Sequence, residues 1–75
     1  MSLLIKDFGN DTLCYSLSDL TKALQEKYLG KSVTIEISRE DGIKKIYFVD
    51  IKSNGSIIDS YKNTPIQPEL FVTGG

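Results

Sequence analysis

The chain has 75 residues, 40% hydrophobic and 25% charged, with 9 basic and 10 acidic side chains for a net charge of −1. This composition excludes a disordered chain, and the lack of a basic excess argues against nucleic-acid or membrane-surface partners. With no His, one Cys and no Trp, there is no imidazole base, no intrachain disulfide and no thiolate cluster for zinc.

A chain this short forms a single domain and buries only about 60% of its unfolded surface. That leaves too little core to build and enclose a substrate cleft. A non-enzymatic carrier, adaptor or inhibitor suits the length better than an enzyme. No apolar run approaches the roughly 18 residues of a membrane span. Residues 1–7 lack the basic start and long apolar stretch of a signal peptide, so the expected location is the cytoplasm.

Residues 3–8 form a short apolar run that ends at a turn cluster, Gly9, Asn10 and Asp11. In residues 12–17, Leu13, Tyr15 and Leu17 alternate with Thr12, Cys14 and Ser16. That period of two is the pattern of a half-buried strand, and the pair reads as strand, turn, strand. The stretch Ser16, Leu17, Ser18 and Asp19 supplies N-cap candidates for a following helix: Ser18 can accept from its orphan N–H groups, and Asp19 suits the positive end of its dipole. Leu17, Leu20, Leu24 and Tyr28 recur at three- and four-residue steps, and Gly30 can close the segment. The helix is expected over about residues 19–29.

Residues 33–38 alternate again, and Asp41-Gly42 signals a turn. Residues 43–51 then read as a longer strand. Within it Ile46, Tyr47, Phe48 and Val49 are consecutive and apolar, as in a strand covered on both faces or paired on one face with another subunit. Ser53, Asn54 and Gly55 mark a further turn, and Ile57 and Ile58 a short strand. Residues 61–68 hold both prolines and read as a loop, and residues 70–73 as a last extended piece. The predicted architecture is α+β: a single small domain spanning residues 1–75, with a mixed four- to five-stranded sheet and one helix packed on one face. Residues 73–75 are expected as a flexible tail.

Few residues carry chemistry. Cys14, the single thiol, has no His to activate it and reads as a small strand residue. Lys44 and Lys45 opposite Glu36 and Glu40 read as cross-strand charge pairs. Gly74 and Gly75 have no side chains, so they could thread a narrow channel in a partner and leave the Gly75 carboxylate open to attack.

The order strand, turn, strand, helix, strands and an apolar stretch leading into Gly74-Gly75 resembles the ubiquitin-like β-grasp. Residues 13–17, the helical segment 18–28, residues 33–37, the Asn63-Thr64-Pro65-Ile66 segment and residues 70–75 are similar to the bacterial sulfur-carrier proteins of the ThiS/MoaD type. The resemblance implies a carrier whose Gly75 carboxylate is adenylated by a partner activating enzyme that uses ATP. A sulfur donor then converts it to a thiocarboxylate. No cofactor would be bound permanently. Gly74, Thr73, Val72 and Phe71 would meet the partner; apart from the resemblance, Tyr47 and Tyr61 are further partner-binding candidates. The alternative is a non-enzymatic protein–protein interaction module, such as a phage- or plasmid-type inhibitor or a small subunit of an assembly. It would use an exposed strand face to bind an unknown protein or itself, with no nucleic acid or membrane involved.

Overall fold

The computed structural model describes residues 2–73. Five strands are present: β1 (Ser2–Asp7), β2 (Asn10–Cys14), β3 (Ser32–Ser38), β4 (Lys44–Ile51) and β5 (Ile57–Asp59). Two helices accompany them, α1 (Leu17–Lys27) and the single turn α2 (Leu70–Thr73). The sheet order is β2-β1-β3-β4-β5. Every pairing is antiparallel, so the expected α+β class is present while the expected mixed sheet is not. Its cause is the crossover: α1 carries the chain from edge strand β2 past β1 to β3, which leaves β1 between two neighbours that both oppose it.

Each hairpin has a local reason. β1 and β2 are joined by two residues, Phe8 (φ 49°) and Gly9 (φ 89°). Positive φ at both is the I′-type turn that matches strand twist. The turns Arg39–Ile43 and Lys52–Ser56 are built alike. In each, the Gly N–H donates to the carbonyl three residues earlier (Gly42 to Arg39, 3.1 Å; Gly55 to Lys52, 2.9 Å). Gly42 and Gly55 take φ of 86° and 89°, and Asp41 and Asn54 accept from the N–H two residues on. The Asp-Gly and Asn-Gly signals therefore encode three-residue hairpin loops.

One face of the sheet is buried. Leu3, Ile5, Val33, Ile35, Ile37, Val49 and Ile51 meet Leu20 and Leu24 of α1 and its C-cap Tyr28 across it. Tyr28 also shares a 2.8 Å hydrogen bond with the Thr12 hydroxyl, which ties the helix end to β2. Folded surface totals 4775 Å², close to the roughly 4,600 Å² that size scaling gives.

Three expectations are corrected. The helix starts two residues earlier, and of the two candidate serines Ser16 is the N-cap: its hydroxyl accepts from the Asp19 N–H at 3.1 Å. The Asp19 carboxylate also accepts from the Tyr15 N–H at 3.3 Å, the residue just ahead of the cap. Residues 70–73 are helical, not extended: the carbonyls of Gln67, Pro68 and Glu69 accept from the N–H groups of Leu70, Phe71 and Val72. A helical turn lets Phe71 enter the core while Leu70 and Val72 stay outside. Thr73, assigned above to a flexible tail, belongs to this turn.

Candidate functional site

The face of the sheet opposite α1 is assembled by register. Leu13, Leu4, Glu36 and Ile46 form one cross-strand row, and Asp11, Lys6, Thr34 and Phe48 the next. Ser32, Asp50 and Ile58 form a third. Among the described residues neither helix covers this side. Leu13 is 50% exposed, Ile46 51%, Phe48 46% and Tyr61 80%. Tyr61 stands edge-on to Phe48, with ring centroids 5.4 Å apart. Several large apolar side chains left half in water on one uncovered face are a usual mark of a contact surface.

The polar groups on this face are fixed in place. Glu36 is clamped by Lys44 at 2.9 Å and Lys6 at 3.4 Å, and its side chain is only 14% exposed. The Lys44 hydrogen bond, then that of Lys6, outweighs desolvation and holds the carboxyl below its ordinary range. Asp50 Oδ1 accepts from the Ser32 hydroxyl at 2.6 Å and the Ser60 hydroxyl at 2.8 Å. These two bonds, Ser32 first, lower its pKa as well. Beside them a shallow depression of about 450 Å³ is lined by Thr34, Phe48, Asp50, Ser60 and Tyr61.

The other sequence candidates lie elsewhere. Tyr47 points to the α1 side, half-buried, and packs edge-on against Phe71 at 5.1 Å. Phe71 is 1% exposed, so both rings are core neighbours rather than presented surface. Val72 is 36% exposed, and Thr73 is bonded back to the Glu69 carbonyl. Gly74 and Gly75 lie outside the described residues. Cys14 is buried on the core side of β2, and burial, then the charge of Asp19, pushes its thiol pKa up. No group of three His, Cys, Asp or Glu side chains able to hold a metal occurs among the described residues. No described helix is long and apolar enough to cross a membrane.

The sequence pointed to the 46–49 run but not to which half of it faces out. Burial decides this: Val49 and Tyr47 turn inward, and Ile46 and Phe48 outward. Leu13 was hidden for the same reason. Its alternation with Thr12 and Cys14 is present, but Cys14 is the residue turned in. No protein family, curated protein or solved structure matches the chain.

Proposed function

We propose that this chain is a non-catalytic protein–protein interaction module that docks through the outer face of its sheet. The observation that carries the reading is the set Leu13, Ile46 and Phe48, each about half exposed on one face that neither helix covers, with Tyr61 leaning on Phe48. Aromatic and aliphatic side chains beside a polar surround make the composition of a contact core. Glu36 and Asp50 meet a partner already hydrogen-bonded, which lowers the cost of covering them.

A photo-crosslinking residue placed at Ile46, in protein expressed at native level in its source cells, tests this. Adducts are expected from position 46, reduced by an added Phe48→Asp, and not from position 22 on the opposite side. Equal adducts at both positions, or none at 46, would overturn the reading. Removing Gly74 and Gly75 is expected to leave the adducts intact, whereas a sulfur carrier would lose its function with them.

A further inference from the structure

The outer face is divided by its central strand. β3 contributes only polar side chains there, Ser32, Thr34, Glu36 and Ser38. Leu4 and Leu13 form an apolar lobe on one side of it, and Ile46, Phe48 and Tyr61 a lobe on the other. Leu13, Leu4, Glu36 and Ile46 stand in one row, so the lobes lie at the same height along the strands.

We propose that the docking partner is a second copy of this chain, packed face to face about a two-fold axis running along β3; this rests on the docking reading above. Half a turn about that axis exchanges the two sides of the sheet and preserves height. Leu4 then meets Ile46 of the second copy, and Leu13 lies over the side that carries Phe48 and Tyr61. Lys6, level with Phe48, comes over that ring, a cation–π arrangement. Each contact occurs twice, as in an isologous interface.

The charges permit this pairing. Asp11 lies opposite Lys6, and Lys6 and Lys44 clamp Glu36. The carboxylates at the centre are therefore compensated within each copy before the copies meet. Five strands at about 4.8 Å spacing and about 20 Å of strand length give roughly 500 Å² of plane per copy. A total of about 1,000 Å² is at the lower limit of specific interfaces, so the dimer is weak and forms at micromolar concentrations or above.

Sedimentation equilibrium of the full chain from about 5 µM to 1 mM tests the proposal. The mean mass is expected to rise from 8.4 kDa toward twice that value. Leu4→Asp and Ile46→Lys, the pair that meets across the axis, should each weaken association at least tenfold with an unchanged circular dichroism spectrum, since neither side chain belongs to the buried core. An equimolar mixture of the two should recover it, because the new carboxylate faces the new ammonium while the other lobe pair is native. A wild-type chain that stays monomeric to 1 mM, or a mixture no stronger than either variant, overturns the two-fold pairing. Crosslinked adducts from position 46 with a mass other than two chains would overturn it too while leaving the docking reading standing. No adducts together with a monomeric chain would remove both.

Discussion

Phe8 is fully exposed at the tip of the first hairpin and holds φ at 49°. An L-residue pays about 1 kcal/mol for that conformation, and a bulky one gains nothing back when its ring is in water. Asn tolerates it far better, so Phe8→Asn is expected to raise stability by about 0.5–1 kcal/mol in urea denaturation. The sequence placed a turn here but one residue late, since Gly9 and Asn10 are the stronger turn formers. Asn10 is instead recruited to pair with Asp7, and which of Leu13 and Cys14 turns inward follows from that register. Asp50 offers a second test at this scale. Its folded pKa is lowered by the Ser32 and Ser60 hydroxyls, so its contribution to stability is fully present above the unfolded value of about 3.9 and is lost as pH falls through the folded value. Asp50→Asn is expected to flatten the acid limb of a Tm-against-pH profile and to leave its shape near pH 7 unchanged.

At the scale of elements, the strongest local signals were legible and the weakest was not. Asp41-Gly42 and Asn54-Gly55 encode their loops through positive φ at glycine and a side-chain acceptor two residues back. The stripe Leu20, Leu24 and Tyr28 encodes α1 and its buried face. The run 16–19 offers two serines, and the structure selects the outer one, whose hydroxyl accepts from the Asp19 N–H. Ser16→Ala is therefore expected to cost about 1 kcal/mol, and Ser18→Ala much less, measured by chemical denaturation. Residues 70–73 were illegible for a physical reason. Four apolar residues fit a strand or a helical turn equally by pattern, and burial of Phe71 beside Tyr47 settles the matter.

For the whole molecule, length and patterning sufficed for a two-layer α+β chain with one principal helix, since one helix covers one face of a small sheet. The candidate surface was half legible: the 46–49 run was marked as unusual, but only the paired strands decide its parity. Val49 is fully buried and Phe48 is not. Val49→Asp is thus expected to unfold the chain, while Phe48→Asp keeps the native circular dichroism spectrum and loses only association.

The two margins of the sheet are finished differently. Along β5, the Ile66 N–H donates to the Ile57 carbonyl and the Asp59 N–H to the Thr64 carbonyl, which sets Pro65 opposite Ile58. Proline has no N–H, so that margin offers no donor to an incoming chain at its centre. On the far side, β2 is bordered by no strand among the described residues. The Asp7–Asn10 pair closes a two-residue turn, so alternation leaves the backbone groups of Asp11 and Leu13 directed outward. The two margins therefore differ in how readily they accept a further strand. Strand addition to this sheet is consequently expected at β2 before the β5 side.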